Sequence, residues 1–240
     1  MSTFVLVHGG GHGAWCWERL TPLLREAGHA VFAPVLAGVG ERVGELTAET
    51  SLSTHIGDVI GLIDEENLDQ IVLVGHSYGG TVITGVADRM PGRIAKLVYL
   101  DAPQPGHGQS MVDASPGAAE ALALQKRTVD GVDLVLFPTP EVIGYFGLTD
   151  PADLAWAMPH LTPHPLRSFE EKLDLSDAAA VDALPRTSID IPYRHAERLS
   201  EAVPAGAGPR RLEVIDTGHD MMISEPQQLA ALLLDIAAGK

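Results

Sequence analysis

Cysteine is all but missing from this chain. Cys16 is the single one among 240 residues, so no disulfide can form within the chain. That accords with a reducing cytoplasm, the location expected here. Positive charge is scarce too. Lysine and arginine number 16 against 32 aspartates and glutamates, a formal net charge of -16. Such an excess repels nucleic acid and anionic membrane at long range, which argues against both as partners. No apolar run reaches the roughly eighteen residues that a membrane-spanning helix needs. The chain opens Met1-Ser2-Thr3 and passes straight into Phe4-Val5-Leu6-Val7, without the basic and apolar regions of a signal peptide.

Hydrophobic residues make up 45% and charged residues 20%, enough for a sizeable core in one domain, or in one domain with an insertion. Short apolar runs alternate with helical patterns. Phe4–Val7, 29–34, Ile71–Val74, Ile94–Leu100, 186–191 and 211–215 read as strands. Helices are expected over about 14–27, ending at Gly28, over about 53–66 with Ser51 or Ser53 as cap, after the turn at Ser77, and over about 225–238. Strands alternating with helices imply a mostly parallel sheet covered on both faces. The rhythm breaks over 103–185, which is rich in Ala, Pro, Leu and Asp and lacks a clear β pattern. That segment reads as an inserted helical cap on a core made of 1–102 and 186–240.

The most specific motif is Gly75-His76-Ser77-Tyr78-Gly79-Gly80, directly after the aliphatic strand. A serine on a sharp strand-to-helix turn has its hydroxyl lifted clear at the carboxyl end of the sheet. The flanking glycines allow the close backbone passage such a turn requires. A serine hydroxyl needs a base. His219 follows the last strand, where chain order puts one. His76 is expected to point away from Ser77, and His8, His29 and His55 are expected to be structural. A tetrahedral intermediate needs two N–H donors. Tyr78, just after the serine, and Gly10, in His8-Gly9-Gly10-Gly11, are the candidates. The glycine-rich segment lacks the G-x-G-x-x-G spacing and the Lys-Ser/Thr ending of nucleotide loops. The acid stays open between Asp101, at the end of the Ile94–Leu100 strand, Asp190, and neither of the two. Asp101 leads because Tyr193, Arg194 and His195 fill the loop after Asp190 without an acid.

These residues carry a resemblance. The run from Phe4 to Trp15, Leu20-Thr21-Pro22-Leu23-Leu24, Gly28-His29-Ala30-Val31, the Gly75–Gly80 turn and Gly218-His219-Asp220 resemble the α/β-hydrolases related to hydroxynitrile lyases and small methyl-ester esterases. The resemblance implies an α/β-hydrolase fold with a six-stranded core, no cofactor, and a substrate buried under the cap; no metal site is expected either. Hydroxynitrile lyases carry threonine where this chain has Gly10, and lysine where it has Asp220. An anion there disfavours cyanide. The leading expectation is a serine ester hydrolase working through an acyl-enzyme on a small to medium, partly apolar ester. The alternatives are a lyase or cyclase of secondary metabolism on the same site, and a ligand receptor without catalysis. Met111, Leu122, Leu124, Phe137, Tyr145, Phe146, Trp156 and Met158 are candidates to line the pocket, with packing of the cap as the plainer role. Cys16 reads as a packing residue. A homodimer is left open by the sequence.

Overall fold

The computed structural model describes residues 1–137, 146–201, 203 and 206–239. In chain order the first half holds β1 (Thr3–Val7), a 3-10 turn (Ala14–Trp17), α1 (Leu20–Glu26), β2 (Ala30–Phe32), α2 (Leu52–Glu65), β3 (Ile71–His76), α3 (Gly79–Arg89) and β4 (Ile94–Leu100). Then come α4 (Ala118–Gln125), β5 (Lys126–Val129), β6 (Val132–Val135), α5 (Pro151–Ala157), β7 (His164–Pro165), α6 (Leu166–Glu170) and α7 (Ala178–Ala183). The chain finishes with β8 (Arg186–Asp190), α8 (Pro192–Arg198), β9 (Arg210–Val214), α9 (Met221–Ser224) and α10 (Pro226–Ala237).

Six strands form one parallel sheet in the order β2-β1-β3-β4-β8-β9. Side chains of a strand alternate between faces, and here both faces are buried. Phe4, Leu6, Val72, Val74, Val98 and Leu100 meet α1 and α10 through Leu20, Leu24, Leu229 and Leu233. Val5, Val7, Ile71, Leu73 and Leu97 turn the other way, onto Leu52, Ile56 and Val59 of α2 and Val82 and Val86 of α3. Each such side chain contributes about 1.5–3 kcal/mol when fully withdrawn from water. This double cover holds the carboxyl ends of β3, β4 and β8 in fixed register, and the candidate site is built there.

Several boundaries differ from expectation for local reasons. The helix expected over 14–27 is broken. A 3-10 turn ends at Trp17 and α1 starts at Leu20, so Pro22 falls in the first turn, where a missing N–H costs no intrahelical bond. Ser51, not Ser53, caps α2, in a reciprocal capping box with Thr54. The segment 193–195 is helical, because Pro192 stands at the first turn of α8 with its φ already set.

The segment between β4 and β8 is not purely helical. It contains an antiparallel sheet of β5, β6 and β7. Asp130 and Gly131 join β5 to β6, both at positive φ (50° and 81°), the two-residue turn that matches hairpin twist. The signal was in the sequence as Asp-Gly between Val129 and Val132. The proline-rich composition around it masked it.

Candidate active site

Ser77 sits between β3 and α3 with φ +52°, a left-handed conformation that costs a non-glycine residue roughly 1–3 kcal/mol. The turn is held from both sides: the Ser77 N–H donates to the Leu100 carbonyl (3.1 Å), and the Gly80 N–H to the Ser77 carbonyl (2.9 Å). A side chain at Gly75 would meet the Gly79 carbonyl at 2.5 Å, and one at Gly79 would meet the Val7 carbonyl at 2.5 Å. Both glycines are thus sterically required. The Tyr78 side chain is buried, its hydroxyl bonded to His55 Nδ1 (2.8 Å), while its backbone opens α3.

The loop after β1 lies against this turn. A Cβ at Gly9 would come within 3.0 Å of the Ser77 Cβ. Its peptide planes are pinned by three histidines. Burial pushes the His8 imidazole down to about 3, so it is neutral. Its Nε2 accepts from the Leu36 N–H (3.1 Å), so Nδ1 carries the proton and donates to the Gly9 carbonyl (2.9 Å). That fixes the peptide bearing the Gly10 N–H. The Gly11 N–H donates to His164 Nδ1 (3.2 Å), a support from 153 positions away with no local signal in the sequence.

The third histidine is His12. Its Nδ1 faces the Gly10 carbonyl (2.8 Å) and its Nε2 faces Asp220 Oδ2 (3.3 Å). Beside an ionised Asp220 both partners accept, an arrangement that a ring protonated at both nitrogens satisfies. Burial opposes that charge, but the Asp220 carboxylate outweighs it and raises His12 above its ordinary value.

His219 is buried on the loop after β9. Its Nδ1 is hydrogen-bonded to an Asp101 carboxylate oxygen, and its backbone carbonyl accepts from His76 Nε2 (3.1 Å). Asp101 lies one residue past β4 at φ +42°, with its N–H donating to the Ile189 carbonyl (2.9 Å). Its other oxygen accepts from Arg194 Nε (2.7 Å). Burial alone would raise the Asp101 carboxyl. The charge and hydrogen bond of His219, with Arg194 beyond, hold it down to about 2. Asp190 is engaged elsewhere: Arg198 grips both its oxygens, at 2.6 and 3.0 Å. No hydrogen bond links Ser77 Oγ to His219 among the described residues. Bonds of this kind are often long in the resting state and tighten with substrate.

Ser77, Tyr78, Gly10, Asp101 and His219 all line one cavity of about 720 Å³. Its outer wall includes Met111, Leu122, Leu124, Phe137 and Phe146. The Phe146 ring lies near-parallel to His219 (15°, centroids 6.2 Å apart) and to Phe137 (11°, 6.3 Å). Trp156 and Met158 are not part of this wall. Trp156 packs on Trp15 and His160 under the Arg19 guanidinium, and Tyr145 lies outside the described residues. Cys16 is buried in the core, and burial pushes its thiol up, as befits a packing residue.

Among the described residues, His76, His219 and Asp220 offer three ligand atoms within 4.8 Å of one another, an arrangement that could hold a metal ion. All three are already committed in part, His76 Nε2 to a carbonyl, His219 Nδ1 to Asp101 and Asp220 Oδ2 to His12.

Residues 4–232 match the family model described as the alpha/beta hydrolase family. The chain is 36% identical over 250 residues to a carbendazim hydrolyzing esterase from Nocardioides sp. (strain SG-4G), covering 97% of this chain and 98% of that protein. Among solved structures it resembles an extracellular alpha/beta-hydrolase from a Paenibacillus species (TM-score 0.80, 25% identity, 98% of each chain). It also resembles the methylesterase MES16 from Arabidopsis (TM-score 0.77, 25% identity, 100% of each chain).

Proposed function

The chain belongs to the α/β-hydrolase family and is an enzyme of the carboxylesterase type, and we propose that it cleaves its ester through Ser77, His219 and Asp101. His219 takes the Ser77 proton as the hydroxyl attacks the ester carbonyl. Asp101 keeps the imidazole in the right tautomer and stabilises the imidazolium. The Gly10 and Tyr78 N–H groups receive the developing oxyanion. The tetrahedral intermediate collapses, His219 protonates the departing alcohol, and an acyl-Ser77 remains. Water, activated by the same imidazole, then releases the acid.

The observation that carries this reading is the convergence of all these groups on one cavity. Its apolar walls and modest volume suit a small to medium, uncharged, partly apolar ester. The near-parallel rings of Phe137 and Phe146 favour a flat acyl part. Methylesterases among the relatives point to a small alcohol part. The segment 103–185 acts as a cap closing over the site. The lone, buried Cys16 suits a reducing compartment, and the reading includes a cytoplasmic location. No helix of the described residues is long and apolar enough to cross a membrane. Hydrolysis of short-chain p-nitrophenyl and methyl esters tests the proposal. Turnover by the parent that S77A lacks is expected, and an S77A variant as active as the parent defeats it.

A further inference from the structure

We infer that Arg194 is a positioning residue, which holds the Asp101 carboxylate in the orientation that serves His219. The inference rests on reading Ser77, His219 and Asp101 as the reacting set.

β4 and β8 are neighbours in register, Leu100 beside Ile189, and the Asp101 N–H donates to the Ile189 carbonyl. The chain leaving β8 therefore emerges next to Asp101. Pro192 starts α8 there at once. Residues four apart on a helix share a face. From that face Arg194 donates to Asp101 Oδ1 (2.7 Å), while Arg198 grips Asp190 and donates to the Ala102 carbonyl (2.9 Å). One short helix thus clamps Asp101 and the residue after it. A carboxylate held only by the imidazole it serves can swing about its terminal torsion, which is broad. With Arg194 on the second oxygen, the plane of the carboxylate is set from both sides. Arg194 is only 20% exposed, and it lines the same cavity.

The guanidinium also acts on the charge that His219 sees. Among the described residues, the charged or titratable groups set around His219 include Asp101 at the end of β4, Arg194 from α8, His76 at the end of β3, and Asp220 on its own loop with His12 behind it. His76 is neutral, since burial pushes it down to about 3. His12 and Asp220 offset each other. Arg194, 2.7 Å from the far oxygen of Asp101, is therefore a cation that tempers the Asp101 field, and its removal favours the imidazolium.

Ester hydrolysis is followed across roughly pH 5 to 9 for the parent, R194Q and R194K. R194Q is expected to lose on the order of a hundredfold in kcat, as misplaced catalytic groups do, with KM changing far less. Its acid limb moves to higher pH, since a cation beside the carboxylate is lost. R194K restores the limb and part of kcat. An R194Q protein with parental kcat and parental limb, differing only in melting temperature, overturns the inference. Should R194Q not fold, R194M, of similar reach and good helix propensity, is read by the same criteria. Fluorophosphonate labelling of the parent is read first. An unlabelled parent means that the reading of Ser77 fails and takes the inference with it. A labelled parent with an indifferent R194Q means that the fault lies with Arg194 alone.

Discussion

His12 and Asp220 form a buried ion pair, Nε2 to Oδ2 at 3.3 Å, that ties the loop after β1 to the loop carrying His219. Neither side chain is more than 1% exposed. Removing one partner of such a pair leaves the other's charge or proton unsatisfied, at a cost of about 3 kcal/mol. D220N is expected to lower the urea midpoint by that equivalent with an unchanged slope. A midpoint within error of the parent's contradicts the pairing.

The two candidate acids separate by what their loss affects. D101N removes the partner of His219 Nδ1 and should cost on the order of ten-thousandfold in kcat, because the imidazole is left in the wrong tautomer. D190N instead strands Arg198, so its effect falls on stability, and kcat of the folded protein stays near parental. Steady-state rates beside melting curves check this. The reverse pattern would move the catalytic role to Asp190.

Stability should decline in mild acid. Burial pushes His8 and His76 down to about 3 and also lowers His55 and His164. Each is neutral when folded and gains a proton on unfolding below the ordinary histidine value of about 6.5. The unfolded state then binds more protons, so stability is lost as pH falls from that value, by about 1.4 kcal/mol per pH unit for each histidine. For His8 and His76 the window runs down to about 3. Asp101 and Asp220, both lowered, add to the loss at the acid end. His12, raised, works the other way: its contribution is whole below about 6.5 and fades as pH rises through its folded value. Urea unfolding between about pH 7 and pH 4.5 should show the net fall, which a level stability curve would contradict.

Local signals found the strand-turn-helix at Ser77, since an aliphatic strand, a serine and glycines at fixed spacing lie within ten residues. The apolar runs Phe4–Val7 and Ile71–Val74 announced strands buried on both faces. The Asp130-Gly131 hairpin is equally local, but the prolines on either side obscure the β pattern around it. The contacts that tune the site had no local signal. Asp220 meets His12 across 208 positions, and Arg194 meets Asp101 across 93. The choice between Asp101 and Asp190 turned on which strand end faces His219, a matter of the β4–β8 register.

The central claim is that the Ser77 hydroxyl is the activated nucleophile of this cavity. Treatment with a fluorophosphonate probe followed by peptide mass spectrometry tests it most directly. The account predicts one adduct, on Ser77, with ester turnover lost in step with labelling and both absent from S77A. Full turnover in a protein carrying that adduct, or an adduct on another residue with Ser77 untouched, would contradict it.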